Sequence, residues 1–190
     1  MSAPSRVLAA VYPIFFLSGI SGLLYQVVWV RWFGRIFGNT LYSASLVTAV
    51  FMGGLGLGSY LGGVFVDRMA ERRGSDFPLK LYAHAELIIA GVGLLLALLL
   101  PSMEPLSAAI SAYTQDVDGW FRPTNGSYVA RYLLALVLLL PVTTVMGATL
   151  SVLIRFLLSG DLGQSGWRVG VLYGFNTAGA ALGAFLSDFL

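Results

Sequence analysis

Phe51-Met52-Gly53-Gly54-Leu55-Gly56-Leu57-Gly58-Ser59-Tyr60-Leu61-Gly62-Gly63 holds six glycines in thirteen residues and no charge. A phosphate-cradling loop would need a strand, a tight turn and a helix start around such glycines. Here they lie inside an unbroken apolar run from about Leu41 to Val66, so the stretch reads as part of a transmembrane helix. Gly54, Gly58 and Gly62 recur every four residues and line one helix face; Ser59 and Gly63 extend the strip. Small residues at that spacing let a second backbone approach closely.

The rest of the chain agrees. Of its 190 residues 57% are hydrophobic and 11% charged, against about 25% charged in soluble domains. Five stretches are long enough to cross a bilayer, which takes about 20 apolar residues. They run from about Leu8 to Val30, Leu41 to Val66, Leu81 to Leu100, Tyr128 to Leu157, and Val169 to the last residue. Helices are expected, because an open sheet leaves backbone groups unpaired in lipid. The fold class is therefore all-α, a single polytopic membrane domain over 1–190. The first span is too long for a signal peptide and no small-residue cleavage site follows it, so a retained anchor is expected. The chain stops at Ser187-Asp188-Phe189-Leu190, directly on the fifth span, which suggests part of a longer chain.

Basic residues set the expected orientation. With the N-terminus inside, Arg6, Arg68, Arg72, Arg73, Lys80, Arg155 and Arg168 fall on the inner side, and Arg31, Arg35, Arg122 and Arg131 on the outer. That seven-to-four split of the 11 Lys and Arg residues favours a cytoplasmic N-terminus. Arg31 and Arg35 lie beside Trp29, Trp32 and Phe33, where they can snorkel at an interface. Between the third and fourth spans, residues 101–125 carry Leu106, Ile110, Tyr113, Val117, Trp120 and Phe121 at intervals of three or four. This predicts an amphipathic helix on the outer surface; the alternative is an irregular loop packed on its neighbours. Asn125-Gly126-Ser127 fits a glycosylation acceptor.

Candidate functional residues are few. The fifth span repeats the small-residue device at Gly170, Gly174 and Ala178, and again at Gly179 and Gly183. The strips of the second and fifth spans are expected to face each other or another subunit. Asp67 and Arg68, followed by Arg72 and Arg73, form an acid and a basic cluster at a helix end. They are similar to the signature loop of major facilitator transporters, where such a pair gates the cytoplasmic side. The plainer reading is positive-inside charge. Gln26, His84, Glu86 and Asn176 are the polar residues within spans. An intramembrane carboxylate is a functional candidate by default: Glu86, expected near the inner surface, would carry protons, bind a cation, or make a structural pair with Arg31, Arg35 or another helix's donor. Gln26 and Asn176 are expected to hydrogen-bond between helices. Pro141 invites a kink, with Thr143, Thr144 and Thr149 placed to bond freed carbonyls. The chain has no cysteine and one histidine, so no disulfide, thiolate site or multi-histidine metal site is expected. It shows no catalytic motif, implies no cofactor, and has no basic surface for nucleic acid.

Several segments together resemble one family. They are Phe16-Leu17-Ser18-Gly19-Ile20-Ser21-Gly22-Leu23-Leu24-Tyr25-Gln26-Val27-Val28-Trp29 with Arg31, Phe37-Gly38-Asn39-Thr40, and the glycine run with Asp67-Arg68. Met146-Gly147-Ala148-Thr149-Leu150 and Tyr173-Gly174-Phe175-Asn176-Thr177-Ala178-Gly179-Ala180 follow. This string resembles the N-terminal membrane domain of bacterial membrane-bound spermidine synthase-like proteins, described as major facilitator/spermidine synthase fusions. The resemblance implies a bacterial inner-membrane location and a membrane module beside an aminopropyltransferase-like domain. Nothing of that domain is present in these residues, so its activity does not carry over. The expected function is a non-catalytic membrane subunit or scaffold, held in the lipid bilayer and packed against other subunits or further copies of itself. A half-transporter for a small cation or polyamine, and the anchor of an aminopropyltransferase-type enzyme, are the alternatives.

Overall fold

The computed structural model describes residues 5–38, 40–74, 76–158 and 165–189; Asn39 and Leu190 lie outside the described residues. Its helices are α1 (Ser5–Phe37), α2 (Thr40–Arg73), α3 (Phe77–Leu99), a short α4 (Glu104–Ile110), α5 (Asn125–Leu158) and α6 (Ser165–Leu186). A two-stranded hairpin, β1 (Tyr113–Gln115) and β2 (Phe121–Pro123), stands between α4 and α5. All helices but α4 are long and apolar enough to cross a membrane. The protein is an all-α, multi-pass membrane protein.

The long helices outrun their apolar runs. At 1.5 Å per residue, α2 and α5 are each about 50 Å long, against a hydrocarbon core of about 30 Å. Their ends reach past the hydrocarbon, which is why Arg72 and Arg73 remain helical. α1 and α2 both stop at a glycine in the left-handed region, Gly38 (φ 69°) and Gly74 (φ 88°). Each glycine N–H closes the last turn, on the Gly34 and Ala70 carbonyls at 3.0 and 3.1 Å.

Two helix pairs form the frame. α2 lies along α5, and α1 along α6, each by close backbone approach. A Cβ added at Gly54 would collide with Thr143, at Gly58 with the Thr144 backbone, and at Gly62 with Ala148. From the other side, Gly147 of α5 lies on the Leu55 backbone. In the second pair Gly179 and Gly183 lie on the Phe16 and Ile20 backbone, and Gly19 on that of Asn176. α3 leans on α5, leaves α2 over most of its length, and receives the Tyr25 ring against Gly93.

The apolar core has two centres. One lies towards the hairpin end, around Trp29, Phe33, Val47, Phe51, Leu96 and Leu139. The other lies towards the opposite end, around Phe15, Val66, Tyr82, Leu153 and Leu172.

The segment 101–125 is not one amphipathic helix. The helix stops at Ile110 and the chain reverses through Asp116–Gly119, where Gly119 has φ 83°. Asp116 N–H donates to the Trp120 carbonyl (2.8 Å), and the Asp116 carboxylate pairs with Arg122 (3.0 Å). A turn with a glycine at positive φ overrides the three-to-four spacing of the aromatics. Val117, Trp120 and Phe121 are nevertheless exposed. The Ser127 hydroxyl both accepts from Ala112 N–H (2.7 Å) and donates to the Ala112 carbonyl (2.9 Å), so the acceptor-like triplet is built into the start of α5.

Candidate functional site

Between the two core centres lies a cavity of about 320 Å³ that touches all five long helices. Its polar lining is Ser18 of α1, Ser59 of α2, Thr149 of α5, and Tyr173, Asn176 and Thr177 of α6. Ser18, Ser59 and Asn176 each lie near the middle of their helix, so the cavity falls at mid-membrane depth. The glycine seams create it. By bringing α2 onto α5 and α1 onto α6 at backbone distance, they leave the gap between the two pairs.

Glu86 stands at the edge of this region. It is half-buried, and the Ser18 hydroxyl, itself in the cavity wall, donates to its Oε1 at 2.8 Å. Tyr82, one turn earlier on α3, is buried beside both Glu86 and Ser18, without a well-aligned hydrogen bond to either. Its place along the helix differs from the one expected. α3 begins at Phe77 rather than Leu81, so Glu86 lies two and a half turns in, about 14 Å along the axis. Of the structural partners expected for it, Glu86 has another helix's donor, Ser18, and not Arg31 or Arg35; among the described residues no cation is bonded to it. Arg31 instead reaches Asp188 (3.4 Å), and Arg35 lies over the Trp32 ring (4.9 Å).

The Asp67–Arg68 pair is divided between two tasks. Asp67 binds Arg155 of α5 at 3.0 Å, tying the α2–α5 seam at its end. Arg68 turns into a separate groove between α2, α3 and α5. His84 bonds the Lys80 carbonyl of its own helix through Nδ1 (2.7 Å).

Other expected contacts differ. The α2 strip Gly54, Gly58, Gly62 meets α5, not α6. Gly170 and Gly174 have open space above them and Ala178 is exposed; α6 packs through Gly179 and Gly183 instead. Gln26 and Asn176 make no interhelical hydrogen bond among the described residues; Asn176 lines the cavity. The bonds across the α2–α5 seam come from Ser59 to the Gly147 carbonyl (3.1 Å) and Ser151 to the Ser59 carbonyl (2.9 Å). Thr143 and Thr144 bond the Leu139 and Leu140 carbonyls, and Thr149 that of Met146. None of them reaches the Val137 carbonyl, whose usual partner Pro141 removes.

Two residues were not visible as special. Ser18 is one serine among many until α3 is laid beside α1. Arg131 is 2% exposed and carries a charge without a carboxylate partner among the described residues. It donates to the Phe37 carbonyl (3.3 Å) at the α1 C-terminus, to Ser111 Oγ (2.8 Å) and to the Tyr113 hydroxyl (3.1 Å). A cation suits the negative end of a helix, and this one fastens the hairpin to the bundle.

Compared with known protein families, curated proteins and solved structures, the chain matches none. The site's class therefore rests on its own geometry: a largely apolar cavity at mid-helix level, with a few polar groups in its wall and a carboxyl at its edge.

Proposed function

We propose that the chain is an integral membrane module that packs against further transmembrane helices through α6, and that it acts as a subunit or scaffold without catalytic machinery of its own. One observation carries this. Gly170, Gly174 and Ala178 form a smooth strip with open space above it, whereas the close-packing strips of α2 and α6 are filled by neighbouring backbone. Lipid tails gain little from such a strip, but a second helix gains close contact along it. The resemblance to spermidine synthase-like membrane domains supports the same reading, since it implies a membrane part that accompanies another module. On this reading the N-terminus is cytoplasmic, in a bacterial inner membrane.

The test is purification in mild detergent from the native membrane, with mass spectrometry and mass measurement. The expected result is a dimer or a stoichiometric complex, and Gly174→Leu recovered alone at the same yield. A monomeric wild type overturns the reading, and so does a Gly174→Leu variant that keeps its companions.

Glu86 favours a second reading, a half-transporter for a small cation. A carboxyl inside a span, hydrogen-bonded to a cavity-wall serine and without a bonded cation among the described residues, suits a neutral acid or the partner of a guest cation. Cation-driven flux in proteoliposomes, abolished by Glu86→Gln with assembly intact, is the expected result. Equal flux in wild type, Glu86→Gln and empty vesicles removes this reading.

A further inference from the structure

A groove of about 710 Å³ lies apart from the central cavity. It opens where α3 leans on α5 and parts from α2. Its walls are apolar, with Leu61, Phe65, Leu81, Ile88 and Val152 among them, and Arg68, Arg72 and His84 also border it. Its length follows α2 from Gly58, near the middle of the helix, to Arg72, next to its end. That is about 21 Å at 1.5 Å per residue. One end is therefore near the middle of the helices and apolar but for Thr144, whose hydroxyl is bonded to the Leu140 carbonyl; the other is at the helix end and cationic.

Arg68 and Arg72 lie four apart and share one helix face. Both are exposed, and neither makes an ion pair among the described residues. Of the two acids beside them, Asp67 is taken by Arg155, and Glu71 is exposed, bridges to neither and does not border the groove. Arg73, the third of the cluster, lies over the Phe77 ring (5.3 Å) and faces a different, shallow depression with Lys80. Two free guanidiniums thus stand at the mouth of a long hydrophobic slot, which matches an anionic head on an apolar chain.

We propose that this groove holds one anionic phospholipid, its phosphate between Arg68 and Arg72 and an acyl chain along α2 towards Gly58. The slot demands both parts. A free phosphate leaves the apolar length empty, and a zwitterionic lipid brings its own cation beside the two guanidiniums. The occupant would cover the face that α3 leaves open on α2 and stiffen the α2–α3 angle.

The test is native mass spectrometry of the full chain, delipidated and offered equal amounts of phosphatidylglycerol and phosphatidylcholine with identical chains. The expected result is a 1:1 adduct favouring phosphatidylglycerol about tenfold, since each basic side chain near an anionic headgroup contributes measurably. Arg68→Gln/Arg72→Gln should abolish the preference, while Arg73→Gln/Lys80→Gln keeps it. Val64→Trp fills the slot and leaves both arginines in place; it should lose the adduct, with helicity checked by circular dichroism. Equal adducts for the two lipids in wild type overturn the proposal. So does an equal loss in the Arg73/Lys80 variant, which marks general surface charge. Displacement by inorganic phosphate at millimolar concentration, or an adduct unaffected by Val64→Trp, shows an anion site without the lipid slot and equally overturns it.

Discussion

The two helix pairs use one device with unequal support. α2 and α5 meet through glycines on both sides, and the seam is crossed by the Ser59 and Ser151 hydroxyls and ended by Asp67–Arg155. α1 and α6 approach as closely at Gly19, Gly179 and Gly183. Their charged contact is the exposed Arg31–Asp188 pair, which contributes little in solvent. Phe175 of α6 adds ring contacts to Tyr12 and Phe16, at 5.7 and 6.5 Å. Between helices in lipid, where burial of apolar surface gives no drive, packing and hydrogen bonds decide. The comparison therefore identifies α6 as held mainly by close packing and ring contacts along its seam with α1, with its opposite strip bare.

The largest effect should come from breaking the better-supported seam. In Gly58→Leu the new Cβ meets the Thr144 carbonyl and the Ala148 N–H, backbone atoms that no rotamer change can move away. The cost should exceed the ~1–3 kcal/mol of ordinary overpacking. We expect loss of the monodisperse peak in size-exclusion chromatography. Gly179→Leu meets the Phe16 carbonyl and the Ile20 N–H in the same way, but it acts on a seam that only α6 depends on. It should yield a folded, less stable protein with a lower Tm. If the two variants change places in severity, the ranking of the seams is wrong.

Those residues also show what could be read in advance. The four-residue glycine period announced a close-packed face on α2, and the apolar runs announced the five spans. The partner of each face was not legible, because a period specifies a helix's shape and not its neighbour. On α6 two strips competed, and only the fold shows that Gly179 and Gly183 carry the packing. Glu86 lies one turn further into its helix than the apolar run implied, because hydropathy sees apolar length, while the helix starts earlier, at Phe77. The hairpin was hidden because Trp120 and Phe121 keep helical spacing, yet Gly119 turns the chain between them and Tyr113. Arg131 was counted as surface charge, since burial of a guanidinium on three acceptors follows from tertiary placement.

A smaller effect should follow from removing one hydroxyl across the stronger seam. Ser59→Ala deletes the bond to the Gly147 carbonyl but leaves the Ser59 carbonyl to accept from Ser151. Interhelical side-chain bonds in membranes average ~0.6 kcal/mol, so a shift of that order is expected in an SDS unfolding titration. A loss of several kcal/mol would mean that the seam depends on its hydroxyls more than on its glycines.

The smallest effect on the monomer should come from Gly174→Leu, the same replacement on the bare strip. Nothing lies within 4 Å of a Cβ there, and leucine is a better helix former than glycine by up to ~1 kcal/mol. The Tm of the isolated chain in detergent should be unchanged or slightly raised, although the variant no longer assembles. That pairing of outcomes separates a surface kept smooth for a second helix from one that is merely poor in side chains. If Gly174→Leu lowers the Tm of the isolated chain as Gly179→Leu does, the strip belongs to this chain's own fold, and the contrast between the two faces of α6 disappears.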